Sequence, residues 1–120
     1  MTQRVSIDFD GTLSMEHVQD YAEELIERKI EIWIVTSRSH FDWHDVIDVA
    51  DKLKIPHRRI IFTGGESKVK ALNDLKPIWH LDDDWQDLTR IASTTKTVAI
   101  SVFGNMSWRA KCNRILKKHV

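Results

Sequence analysis

Cysteine is almost absent: Cys112 stands alone in 120 residues, so no internal disulfide can form and stability has to come from a packed core. Long apolar runs are missing as well. The longest, Ile30 to Val35, is broken by Glu31 and falls far short of a bilayer span. No charged-then-apolar signal region opens the sequence, so the expected location is cytoplasmic, with no membrane partner. In that compartment the sequon spacing of Asn105-Met106-Ser107 is read as chance. There is no excess charge of one sign, because 18 Lys+Arg balance 18 Asp+Glu, which excludes the uniform basic field of a dedicated nucleic-acid binder. Repeats, low-complexity tracts and linkers are absent too. A length of 120 residues with 42% hydrophobic residues fits one domain over residues 1–120.

What is present is alternation. Five β-branched or apolar runs read as strands: Val5 to Phe9, Ile32 to Thr36, Arg59 to Thr63, Ile78 to Asp82 and Thr97 to Val102. Segments of helical period lie between them. Val18, Tyr21, Ala22, Leu25 and Ile26 mark the first helix, and Trp43, Val46, Ile47, Ala50 and Leu53 the second. Val69, Leu72 and Leu75 predict a third, Leu88, Ile91 and Ala92 a fourth, and Trp108, Cys112, Ile115 and Leu116 a fifth. Pro56 and Pro77 stop the second and third, since a residue before proline is pushed out of helical geometry. Strand-helix alternation with short connections predicts an α/β, three-layer, Rossmann-like domain on a five-stranded parallel sheet. In such sheets function gathers at the carboxyl ends of the strands, where the strand order reverses.

Those ends are chemically unusual. The first strand runs into Asp8-Phe9-Asp10-Gly11-Thr12 and the second ends in Thr36-Ser37-Arg38. Gly64 and Gly65 follow the third, then Lys68 and Lys70, and the fourth ends in Asp82-Asp83-Asp84 with Asp87 beyond. If strands one and four are neighbours, Asp8, Asp10, Asp83 and Asp87 converge, and such a cluster needs a compensating cation. Oxygen donors without His or Cys at ligand spacing select a hard ion, and few protein ligands suit Mg²⁺, which also takes a phosphate oxygen. The bland alternative for the acids after strand four is capping of the next helix, and for Asp84 the two readings are equally weighted.

Taken together in this order, Asp8-Phe9-Asp10-Gly11-Thr12, Thr36-Ser37-Arg38, Lys68 and Asp83 with Asp87 resemble the motifs of the haloacid dehalogenase (HAD) superfamily. The resemblance implies a strand order of 5-4-1-2-3 and phosphoryl transfer. Asp8 would be the nucleophile that carries an aspartyl-phosphate. Asp10 would act as general acid and then base, its backbone carbonyl joining Asp8 and Asp83 around Mg²⁺. Thr36 would bond a phosphoryl oxygen and Lys68 would neutralise it, with Lys70 the alternative. Gly11 and Thr12 would shape the turn beside the phosphate, Ser37 and Arg38 would flank it, and Asp87 would support the metal site. Only 23 residues separate Thr12 from Thr36 and 29 separate Arg38 from Lys68, so no cap domain fits at either point. Any hairpin flap would be confined to Leu13 to Met15.

The expected activity is therefore Mg²⁺-dependent phosphomonoester hydrolysis by an uncapped HAD domain, on a substrate such as a nucleotide or a phosphate-ended nucleic acid. A non-catalytic phosphate-binding module is the alternative. A signalling receiver domain fits less well, because it places its phospho-acceptor after strand three, where this chain has Ile61-Phe62-Thr63. Trp33, Trp79 and Trp108 read as core, whereas Trp43 and Trp85 lie close enough to motifs to border the cleft. The histidines show no metal-ligand spacing, and His40 and His44, the only i, i+4 pair, are not read as a zinc site. From Leu88 onward there are seven Lys+Arg and no acid, leaving 11 Lys+Arg against 18 acids before it. Arg109, Lys111, Arg114, Lys117 and Lys118 are expected on the outer face of the last helix, either as an ordinary solvated face or as a phosphate-backbone contact.

Overall fold

The computed structural model describes residues 2–103 and 107–119, so Asn105 and Met106 of the sequon lie outside the described residues. Its strands are β1 (Arg4–Ile7), β2 (Glu31–Thr36), β3 (Ile60–Phe62), β4 (Trp79–Asp82) and β5 (Val98–Ser101). Between and after them come α1 (Glu16–Glu27), α2 (His44–Leu53), α3 (Val69–Leu75), α4 (Trp85–Thr94) and α5 (Trp108–Lys118). All strand pairs are parallel, in the order β3-β2-β1-β4-β5, which is the expected order read from the other edge. It also differs from the 2-1-3-4-5 order of receiver domains, which removes that alternative.

Period-two alternation divides the strand side chains between two apolar layers. Val5, Ile7, Ile32, Ile34, Trp79, Leu81 and Ile100 pack with the inner stripes of α1, α2 and α5. On the opposite face, Val35 and Ala99 pack with Leu72 of α3 and Ile91 of α4. Tyr21, Trp79 and Trp108 form an aromatic knot in the larger layer, with Trp108 edge-on to Tyr21 at 5.4 Å between centroids. Three residues depart from the sequence-based expectation. Trp33 is half-buried, its Nε1 donating to Glu31 rather than sitting in the core. Trp43, in the position just before α2, is 42% exposed, and Ala92 on α4 faces solvent.

Helix ends follow local chemistry. α2 and α3 stop at Leu53 and Leu75, followed by Lys54 and Lys76 in left-handed geometry and then by Pro56 and Pro77. Asp84 caps α4, its side chain accepting from the backbone N–H groups of Gln86 and Asp87 at 2.8 and 3.2 Å. That resolves its double reading in favour of the cap. The chain leaves β1 through one wide turn, closed by Leu13 N–H to the Asp8 carbonyl and Ser14 N–H to the Phe9 carbonyl, and enters α1 directly. No hairpin flap is present over Leu13 to Met15. Among the described residues no connection carries an inserted cap.

Candidate active site

The strand order reverses between β1 and β4, so the crevice that a doubly wound sheet offers to ligands opens at their carboxyl ends. Ser6 pairs with His80 in register, and alternation places Ser6, His80 and Asp82 on the face covered by α3 and α4. Asp8 continues that row, its N–H donating to the Leu81 carbonyl at 2.9 Å. Into this polar row reaches Lys68, from the residue before α3. Its side chain is only 2% exposed, and its Nζ lies 2.7 Å from Asp8 Oδ1, 2.7 Å from Asp82 Oδ2 and 3.5 Å from Asp87 Oδ2. Lys70, by contrast, is exposed on the outer side of α3.

A hydrogen-bonded chain extends behind the lysine. His80 Nε2 lies 2.8 Å from Asp82 Oδ2, and His80 Nδ1 lies 2.7 Å from Ser6 Oγ. Burial pushes the His80 pKa down against the pull of Asp82, so the ring is neutral near pH 7. We therefore assign the proton to Nε2, donating to Asp82, while Nδ1 accepts from the Ser6 hydroxyl. Asp82 is held low: burial opposes its ionisation, but His80 and Lys68 more than offset it. Lys68 stays an ammonium, because Asp8 and Asp82 outweigh the desolvation that would discharge it. Asp8 has the weaker share of that one cation. Burial raises its pKa from an ordinary 3.8 to about 8, against the pull of Lys68.

Asp83 completes the cluster. Carboxylate oxygens of Asp8, Asp82 and Asp83 can all lie within 4.8 Å of one another, and Thr12 Oγ1 lies 3.2 Å from Asp8 Oδ2 and 3.4 Å from Asp83 Oδ1. Gly11 makes this approach possible. It sits at φ +73°, and a Cβ there would lie 2.2 Å from Asp83 Oδ2. Three carboxylates around one ammonium leave a deficit of positive charge, and an all-oxygen donor set of this kind fits a hard divalent cation. Among the described residues no other group of three or more His, Cys, Asp and Glu side chains is placed to hold a metal.

The Asp10 side chain does not join the acidic convergence expected of it. Its carboxylate points outward and takes both arms of the Arg38 guanidinium, Nε to Oδ2 at 2.9 Å and Nη2 to Oδ1 at 2.8 Å. The carboxylates that converge are thus Asp8, Asp82 and Asp83, and sequence reasoning had treated Asp82 only as one of an acidic run. Its alternation with His80 across Leu81 was the available signal. Arg38 packs over the Phe9 ring at 5.1 Å and also approaches Asp42 and Asp45 at 3.4 and 3.5 Å. Thr36 is fully buried, its Oγ1 accepting from the Arg38 N–H at 3.2 Å. Gly64 and Gly65, both at positive φ, donate to the carbonyls of Arg38 and Ser37, so the loop after β3 braces the loop after β2. Ser37 contributes its backbone to that brace and leaves its side chain exposed.

The sequence matches no family model and no curated protein. Solved structures do share its fold. A protein from Vibrio cholerae named for 3-deoxy-D-manno-octulosonate 8-phosphate phosphatase superposes with a TM-score of 0.61 at 18% identity, over 97% of this chain and 84% of that one. A protein from Streptomyces avermitilis named as a HAD family hydrolase gives 0.61 at 17% identity, over 91% of this chain and 72% of that one. A hypothetical protein from Xanthomonas campestris gives 0.59 at 13% identity, over 92% of this chain and 69% of that one. The fold is thus the one seen in HAD-type phosphohydrolases.

Proposed function

We propose that this chain is a Mg²⁺-dependent phosphomonoester hydrolase of the HAD superfamily, acting through an aspartyl-phosphate on Asp8. The observation that carries the reading is the buried Lys68 ammonium fixed between Asp8 and Asp82, beside Asp83, at the point where the strand order reverses. The motif resemblance and the fold shared with proteins named as a phosphatase and a HAD hydrolase support it.

In this reading Asp8 attacks phosphorus through a carboxylate oxygen while the bond to the leaving oxygen breaks, and Asp10 supplies the proton that the leaving oxygen takes up. Asp10 then accepts a proton from water, which attacks phosphorus and returns Asp8 as a free carboxylate with inorganic phosphate as product. Lys68 holds Asp8 in place and offsets charge on the phosphoryl group. Thr36 offers its hydroxyl proton to a phosphoryl oxygen. Arg38 occupies both oxygens of Asp10, so its fork must open before Asp10 can exchange a proton with substrate. Asp8 and Asp83, with Asp82 behind them and the Asp10 carbonyl implied by the motif, would hold Mg²⁺, which would keep Asp8 ionised and draw charge from the phosphoryl oxygens.

The substrate class in this reading is a nucleotide or a phosphate-ended nucleic acid. The single cysteine, which leaves no internal disulfide, supports a reducing, cytoplasmic setting, and among the described residues no helix is long and apolar enough to cross a membrane. The test is phosphate release from p-nitrophenyl phosphate with Mg²⁺ or with a chelator, in the parent and in Asp8→Asn. Metal-dependent turnover lost in the variant is expected. Turnover that survives either the chelator or the substitution would refute the mechanism.

A further inference from the structure

Large apolar side chains that stay in solvent are not scattered over this molecule. Among the described residues they are Met15, Phe41, Trp43, Trp85 and Phe103, and every one lies between a strand's carboxyl end and the first residue of the helix that follows it, at the end of the sheet where the acidic cluster sits. Trp85 stands out. It is 76% exposed, opens α4, and follows Asp83 by two residues. It also lines one end of a groove of about 540 Å³ that crosses the outer edge of β5, between α4 and α5. Leu88, Ala92 and Ala99 form its apolar floor, Ser101 marks its end at the strand tip, and Lys111 closes the α5 side.

Charge selects the occupant. No acid lines this groove, and none occurs in the sequence from Leu88 onward. Lys111, Arg114 and Lys118 recur at i, i+3 and i+7, so they share one face of α5 leading away from the groove. None of the three pairs with a carboxylate among the described residues, whereas Arg109 is committed to Glu24 and to the Tyr21 ring. The opposite flank of the site has the reverse character, with Asp42, Asp45 and Asp48 exposed around the start of α2. An anionic polymer that delivers its end to Asp8 is repelled over α2 and attracted over α5. An exposed indole with an apolar floor and a row of unpaired cations combines the two elements of single-strand recognition, base stacking and phosphate neutralisation.

We infer that the α4–α5 groove holds the nucleotide next to the phosphate being removed, its base against Trp85 and its following phosphates along Lys111, Arg114 and Lys118. The substrate class is then a phosphate-ended single-stranded oligonucleotide. The inference rests on the phosphohydrolase reading for its chemistry and on the groove alone for its binding.

The experiment separates the two. Fluorescence anisotropy of labelled tetranucleotides bearing a 5′- or 3′-phosphate, titrated with Asp8→Asn, measures binding without turnover, and kcat/KM is measured for the same oligonucleotides, a mononucleotide and p-nitrophenyl phosphate in otherwise unaltered protein. At least tenfold preference for one phosphorylated tetranucleotide over the mononucleotide is expected. Trp85→Ala should lower the oligonucleotide-to-nitrophenyl-phosphate ratio at least fivefold, the loss of one stacked base. Changing Lys111, Arg114 and Lys118 to Gln should weaken oligonucleotide binding and flatten the plot of log affinity against log salt by about two units. Equal efficiency on tetranucleotide and mononucleotide, no response to Trp85→Ala, or an equal response with a phosphopeptide would overturn the groove assignment. Oligonucleotide binding with these dependences but no turnover of any phosphoester would uphold the groove and reject the hydrolase.

Discussion

Replacing Asp8 by Asn removes the nucleophile, and it should also make the metal-free protein more stable at neutral and alkaline pH. Asn matches the protonated carboxyl in shape and cannot ionise, so the variant is locked in the form that burial favours. In the parent, the fold raises the Asp8 pKa from 3.8 to about 8. A carboxyl that binds its proton more tightly in the fold contributes stability that is fully present below the unfolded value and is lost as pH climbs toward the folded one. The loss amounts to roughly 1.4 kcal/mol for each pH unit in that window, so between pH 5 and pH 8 the gap between variant and parent should widen by about 3 to 4 kcal/mol. That is a large share of the roughly 5–15 kcal/mol that holds a domain of this size. Urea unfolding of both proteins at pH 5, 6, 7 and 8 in chelator measures it, since every other titrating group is common to the two. Saturating Mg²⁺ should then favour the parent, by about 2.7 kcal/mol at a hundred times the dissociation constant, and so narrow the gap. Parallel pH profiles for the two proteins in chelator would refute the electrostatic account of the cluster.

Gly11→Ala should cost about 1–2 kcal/mol from its positive φ alone, and, because a Cβ there meets Asp83 Oδ2 at 2.2 Å, it should also weaken the Mg²⁺-induced rise in melting temperature. His80→Phe strips Asp82 and Ser6 of their shared partner and should destabilise by roughly 2 kcal/mol in chemical denaturation, with His80→Gln, which keeps an N–H donor, losing less. Asp10→Asn should slow hydrolysis of the phosphoenzyme more than its formation from p-nitrophenyl phosphate, whose leaving group needs little protonation, so acid quenching should trap phosphate on the protein; an empty trap would count against the acid-base role of Asp10.

The elements themselves were legible in the residues. Stripes such as Val18, Tyr21, Ala22 and Leu25, or Cys112, Ile115 and Leu116, follow helical period closely enough to mark both the helix and its buried face. The chemical character of the site was legible for a similar reason: acids, a threonine and a lysine at strand ends announce their chemistry by type and position. What the residues alone left open was decided by distances across the sheet. Lys68 rather than Lys70 meets Asp8 because the turn into α3 aims one lysine inward and the next outward, two residues apart on a helix start. Asp82 rather than the Asp10 carboxylate joins Asp8 and Asp83 because Ser6, His80, Asp82 and Asp8 share one face of two paired strands, a relation that exists only once β4 lies beside β1. The Arg38 fork on Asp10 joins residues 28 apart in sequence. Trp43 and Ala92 fit apolar stripes yet stay in solvent, since periodicity records which side of a helix turns inward and only the packed sheet determines where its cover ends.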